Sequence, residues 1–240
     1  MDEKRSVLEH IEELRARLIR ILVFFTGFAV IGFILSPRLI SYFTDLFPAD
    51  LGVRLVVSHP MDFLLTQVNI AIFTGFLLST PAIIYEVFSF SRPAFHRKER
   101  KLFACIVVSS TGLFLLGLVF GYFILLRFTL WFLAGLSYSA GVLNLWNLNM
   151  FVSFVFLLCM VMGLVFLAPV LVLVLVKSGI IDLDFLKDNR AYVVIGIFIL
   201  AAMITPPDPF SQVIVALPMI LLYEASILIA RVLERSAKHL

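Results

Sequence analysis

The sequence predicts an all-α membrane protein of six transmembrane helices, the last two short, with both termini on the cytoplasmic side. Three observations carry this. Apolar residues fill 62% of the 240 positions and charged residues only 15%, against about 45–50% and about 25% in an ordinary soluble domain. The apolar residues, 25 phenylalanines among them, gather into long runs separated by short polar stretches. Lysine and arginine, finally, are divided very unequally between alternate stretches, as topology demands of a membrane protein.

The runs place spans at roughly 21–35, 63–88, 102–126, 151–176, 191–205 and 213–230 of one polytopic membrane domain. Ser6 and Glu9 fit a capping box, so the N-terminal helix is expected to start near Val7. Ser36-Pro37 is expected to end the first span, leaving Leu39 to Phe47 as an amphipathic stretch at the far interface. Pro81, Pro169 and Pro218 lie inside later spans and predict kinks whose freed carbonyls need partners. Gly117 and Gly121, four apart, suit a close helix approach. The fifth span, of about 15 residues, reaches only about 22 Å, less than a hydrocarbon core of about 30 Å.

Orientation follows from the cations. Five lie in the N-terminal stretch (Lys4, Arg5, Arg15, Arg17, Arg20) and five after the second span (Arg92, Arg97, Lys98, Arg100, Lys101). Three follow the fourth span (Lys177, Lys187, Arg190) and three lie in the tail (Arg231, Arg235, Lys238). The opposite side holds Arg38, Arg54 and Arg127. The cation-rich stretches face the cytoplasm. Placed this way, the net charge of +3 reads as topology, not as nucleic-acid binding. The chain opens on a charged amphipathic stretch, without a cleavable leader pattern.

Catalytic signatures are missing: no HExxH helix, no GxSxG elbow and no phosphate-binding glycine loop. Cys105 and Cys159 lie in apolar runs, with no disulfide or metal spacing. The sequence therefore points away from an enzyme, a metal centre or any cofactor. A small secondary transporter is the alternative, but such proteins gather polar groups at the midplane. Here the spans are nearly bare apart from Gln67, Asn69, Glu86 and Glu224.

Four polar constellations stand out. On the N-terminal helix Val7, Ile11, Leu14 and Leu18 form an apolar stripe, Glu13 and Arg17 share the opposite face, and Arg15 lies near the stripe's edge. In the loop from Phe88 to Lys101, Glu99 is a lone carboxylate among five cations, either paired with a neighbour such as Arg100 or reserved for a cationic ligand. Thr205-Pro206-Pro207-Asp208 stops one helix before the next begins, and Asp208 and Gln212 lie one turn apart. Glu224 is a carboxylate inside a span, which is a functional hypothesis by default unless it sits shallow or is protonated and bonded.

Together these stretches resemble the TatC family, the polytopic core subunits of the twin-arginine protein translocase. The family pattern His-Leu-x-Glu-Leu-Arg-x-Arg-Leu is matched by His10 to Leu18, with Ile11 for Leu. Phe-x-x-Pro-Ala-Leu-x-x-x-Glu-Arg is matched by Phe90 to Arg100, with Phe95 for Leu. Arg190-Ala191-Tyr192, the hairpin from Thr205 to Gln212, and Tyr223-Glu224 match in turn. One departure is Leu167, where the family commonly carries a helix-four glutamate.

The resemblance implies a receptor in the cell membrane that binds twin-arginine signal peptides of folded cargo. It would then recruit small single-span subunits of the TatA and TatB type, in an oligomeric complex driven by the proton-motive force. By position it implies signal-peptide recognition by Glu13, Arg15, Phe90, Pro93, Glu99 and Arg100, and far-side partner contact at Asp208 and Gln212. Before a peptide arrives, Glu13 and Glu99 are expected to be held by their own arginines, Arg17 and Arg100.

Overall fold

A computed structural model describes residues 2–44, 53–90, 100–177, 181–204 and 209–238. Helices dominate, as the composition requires. The helix α1 runs over Asp2–Thr44, α2 over Asp62–Phe90 and α3 over Arg100–Phe120. A π-helical stretch, Gly121–Leu126, leads directly into α4, Arg127–Ser139. Then come α5 (Leu148–Phe166), α6 (Ala168–Lys177), α7 (Leu183–Asp188), α8 (Arg190–Ile204) and α9 (Pro209–Lys238). Among the described residues, five helical segments are long and apolar enough to cross a bilayer, and Arg190–Met203 is a shorter apolar helix. Large apolar side chains such as Val23 and Ile34 stay 64% and 70% exposed, a surface that suits lipid and not water. The chain is a multi-pass membrane protein.

Several expected boundaries need correction. The N-terminal helix begins at Asp2 and not near Val7, so Ser6 and Glu9 lie inside it. Pro37 does not end the first span, because α1 continues through it for 43 residues in all. Proline cannot donate to the carbonyl four residues back, that of Phe33. The Ser36 hydroxyl donates to that carbonyl instead, at 2.7 Å, so the orphaned acceptor is satisfied and the helix goes on. The stretch from Leu39 is thereby absorbed into α1 as far as Thr44, and 45–47 lie outside the described residues.

The third span does not stop at Leu126. It passes through the π-helical stretch without a loop and continues to Ser139, so Arg127 lies within an apolar helical segment of 37 residues, Phe103–Ser139, its guanidinium 5.5 Å from the Phe123 ring centre. The fourth span breaks at Leu167, where a turn separates α5 from α6, two residues before Pro169. The Leu167 N–H bonds Leu164 three residues back, which tightens the turn ahead of the proline. The last helix is not short, since α9 has 30 residues and holds an apolar segment of 23. Pro218 lies inside it without ending it.

The fold also holds a feature without a sequence signal. Arg54–Val56 (β1) and Leu145–Asn147 (β2) form a two-stranded parallel pair, with Arg54 opposite Leu145 and Val56 opposite Asn147. Beside it Asp62 accepts the backbone N–H groups of Ser58 and His59 at 3.0 and 2.9 Å and the Asn147 amide at 2.7 Å, which anchors the start of α2.

Two compact units emerge, and their boundaries fall inside helices and not in linkers. One comprises residues 1–107 and 134–156, the other 108–133 and 157–240. In the first unit α1 and α2 pack antiparallel along small residues. A Cβ added to Gly32 would lie 2.6 Å from the Thr74 Cβ, and one on Gly75 would lie 2.9 Å from the Ala29 Cβ. Asn69, mid-span on α2, donates its amide to Asn149 and Ser153 of α5 at 2.8 and 2.9 Å, a polar bond between helices where water cannot serve.

In the second unit the expected role of Gly117 and Gly121 appears. A Cβ on Gly117 would lie 2.5 Å from the Met162 carbonyl oxygen, and one on Gly121 would lie 3.2 Å from the Cys159 Cα. The small residues let α3 and the π-helical stretch press against the backbone of α5.

Candidate functional site

The antiparallel register of α1 and α2 decides what stands beside the N-terminal motif. Moving from Gly32 back to Arg17 on α1 runs from Thr74 forward to Glu86 on α2. Arg17 and Arg20, three apart, therefore face one side chain of α2. Arg17 Nη1 lies 2.8 Å from Oε2 of Glu86, and Arg20 Nη1 lies 2.8 Å from Oε1. Glu86 is buried, as is most of Arg17, whereas the Arg20 side chain is 53% exposed.

The guanidinium of Arg17 is saturated. Its Nε donates to Glu13 Oε1 at 3.1 Å, and Nη2 donates to the same oxygen. Nη1 donates to the Glu86 carboxylate and, at 3.3 Å, to the Glu86 carbonyl, while Nη2 also reaches the Ser89 carbonyl at 3.2 Å. Five donors thus meet five acceptor contacts. Two of these are carbonyls at the C-terminal end of α2, and that of Ser89 lies in the last turn, where the helix lacks internal donors and its dipole favours a cation.

This geometry bears out the expected pairing of Glu13 with Arg17. Glu13 stays on the surface with its side chain 45% exposed, within reach of an incoming group. Arg15 is exposed and has no ion-pair partner among the described residues. Phe90 closes α2 and Arg100 opens α3, so the Phe90–Arg100 motif spans the connection between these helices. Pro93 and Glu99 lie outside the described residues, as does any pairing of Glu99 with Arg100.

At the other candidate positions, Gln212 donates its amide to the Phe198 carbonyl at 3.0 Å, tying α9 to α8, while Asp208 lies outside the described residues. Glu224 is neither isolated nor deeply buried. Its carboxylate lies 3.3 Å from Arg190 Nη2, with the two side chains 40% and 45% exposed. The neighbouring Tyr223 hydroxyl donates to the Leu186 carbonyl at 2.6 Å, which holds α7 against α9. The motifs at Arg190 and at Tyr223-Glu224, far apart in sequence, therefore meet. Leu167 is half-buried, next to an apolar groove lined by Leu164, Ala168, Val193, Ile197, Met219 and Tyr223.

Sequence reasoning missed the part played by Glu86. The signal was present: an ionisable residue near the end of an apolar run, with two arginines three apart on another helix. Only the helix register makes them neighbours.

Comparison with known proteins converges on one family. The model of the family described as Sec-independent protein translocase protein (TatC) matches residues 9–218. The TatC protein of Halalkalibacterium halodurans is 34% identical over 235 residues, covering 98% of this chain and 92% of the relative. That of Aquifex aeolicus is 32% identical, covering 97% of each. A crystal structure of the twin-arginine translocase receptor TatC in DDM superposes with a TM-score of 0.82 at 32% identity, covering 92% of this chain and 99% of that one.

Proposed function

Since the chain belongs to the TatC family of Sec-independent protein translocase proteins, we propose that it is the receptor and core subunit that binds twin-arginine signal peptides of folded cargo. The observation that carries this reading is Glu13: a half-exposed carboxylate held by an internal arginine, at the end of a helix hairpin. A guanidinium is planar, permanently charged and matched to a carboxylate. An arginine of a peptide can replace Arg17 at Glu13 with the same chemistry, so that neither acid nor base is left unpaired. Glu99 supplies the second carboxylate, and Arg15, Phe90, Pro93 and Arg100 shape the surroundings of the bound segment.

The wider arrangement follows. The chain forms one membrane domain and crosses the cell membrane six times, with both termini and the recognition surface in the cytoplasm, as the cation distribution supports. The crossing at α8 covers only about 22 Å and thins the bilayer around it. Asp208 and Gln212 form the far-side polar positions for partner contact. Small single-span subunits of the TatA and TatB type assemble there and on the membrane helices, and the proton-motive force drives transport. Glu224 holds Arg190 and keeps α8 in register with α9.

The test is binding of a twin-arginine peptide to the purified protein in detergent, beside a twin-lysine peptide. Glu13→Gln and Glu99→Gln should each weaken the arginine peptide by about ten- to a hundredfold, since a charge-assisted bond contributes about 1.5–3 kcal/mol. The lysine peptide should start weaker and lose much less, because lysine cannot make the two-pronged contact. Equal losses for both peptides, or none, would overturn the two-carboxylate reading.

A further inference from the structure

Arg17 is shared between two carboxylates of different kinds. Glu13 is half-exposed and lies on the same helix, four residues away, whereas Glu86 is buried and lies on α2. Glu86 is in turn shared between Arg17 and Arg20. The chain Glu13–Arg17–Glu86–Arg20 thus alternates in charge from an exposed end to a second exposed end, with its middle two members largely buried. A charge shared between two opposite charges is held less firmly by each than it would be by one alone, so weakening one of the two links leaves the other tighter.

We propose that Glu86 is a positioning residue for signal-peptide recognition, which sets the affinity of Glu13 for an incoming arginine by competing with Glu13 for Arg17. This rests on the reading of Glu13 as a peptide-binding carboxylate. When a peptide guanidinium takes Glu13, Arg17 keeps Glu86 and the two α2 carbonyls as acceptors, so its displacement from Glu13 leaves no buried cation stranded. Without the Glu86 charge, Arg17 has one carboxylate partner, Glu13, and holds it against the peptide. With Arg20 removed, the undivided Glu86 draws Arg17 toward itself and loosens its hold on Glu13.

The experiment is a double-mutant cycle on twin-arginine peptide affinity with Glu13→Gln, Glu86→Gln and the double variant, together with Arg20→Gln. Glu86→Gln should weaken the peptide about three- to tenfold. In the Glu13→Gln background the same change should have almost no effect, because the contest for Glu13 is gone. Arg20→Gln should tighten the peptide in the native background and leave it unchanged in the Glu13→Gln background. A simple change in local field, or a looser α1–α2 hairpin, would act equally in both backgrounds, and additive losses would overturn the proposal. Should Glu86→Gln fail to fold, Arg20→Gln in the two backgrounds decides the matter alone. An undiminished peptide affinity in Glu13→Gln would instead overturn the reading of Glu13, whatever Glu86 does.

Discussion

Arg17 of α1 and Glu86 of α2 meet at 2.8 Å with their side chains only 12% and 8% exposed, and the same guanidinium donates to the Ser89 carbonyl in the last turn of α2. One residue therefore closes the helix hairpin and neutralises its buried acid. Arg17→Ala should lower stability by about 3 kcal/mol, the cost of stripping a partner from a buried charge. Arg17→Lys should lose less, retaining charge but not the five-donor fork. Arg20→Gln should change stability by under about 1 kcal/mol, since Arg20 is half in solvent. Thermal unfolding of the three variants in one detergent checks the order, and an Arg17→Ala protein as stable as the parent would contradict it.

The approach of α3 to α5 at Gly117 makes a second prediction. A methyl group there would meet the Met162 carbonyl, a backbone atom that cannot swing aside. Gly117→Ala should destabilise by about 1–3 kcal/mol. Gly112, on the same helix, has nothing within 4 Å of an added Cβ. Gly112→Ala should be neutral or stabilising by up to about 1 kcal/mol, because alanine loses less entropy in a helix. Similar unfolding temperatures for the two variants would refute the close packing.

Glu224 and Arg190 make a third. Both are near half exposure at 3.3 Å, so the pair is a modest tie and not a buried charge in distress. Glu224→Gln should cost under about 1 kcal/mol. Exchanging the two residues should restore what either single change loses. A loss of several kcal/mol from Glu224→Gln alone would place the carboxylate in a drier setting than its exposure indicates.

Leu167 tests the groove beside it. The residue lies in the turn between α5 and α6, half-buried. If a partner helix with polar donors lies over this turn in the assembled complex, Leu167→Glu should insert and accumulate normally. Facing lipid, the new charge should meet a penalty of about 2.5–3.5 kcal/mol and lower the yield. Membrane accumulation with and without the small subunits co-expressed separates the two, and normal accumulation with unchanged partner crosslinking at this site would count against the groove.

Topology is open to direct labelling. In a background lacking Cys105 and Cys159, single cysteines at Asp50, Ser139 and Pro209 should react with an impermeant reagent outside the cell. Those at Ser6, His96 and Ser236 should stay protected. The reverse pattern would invert the recognition surface with the rest.

What the sequence determined by itself was whatever depends on local or additive properties. Hydropathy summed over a window located the apolar helices and the short one at Arg190–Met203, though it read the last, Pro209–Arg231, as short as well. Contiguous motifs such as His10 to Leu18 and Thr205 to Gln212 identified the family, and i,i+4 spacing placed Glu13 beside Arg17. Tertiary structure decided the rest, because it depends on the register between helices. Glu86 is one polar residue among several in the spans until the close fit of Gly32 and Gly75 sets α2 against α1 and brings it to Arg17 and Arg20. Arg190 and Glu224 are likewise 34 positions apart until α8 folds back on α9. Pro37 reads as a stop in any linear scan, yet α1 passes through it, since a neighbouring hydroxyl satisfies the one carbonyl that proline abandons. A sequence states which groups exist and how polar each segment is. Which of them share a proton donor or a charge is settled only by the helix–helix contacts, where small residues set the distance and the register of everything above and below them.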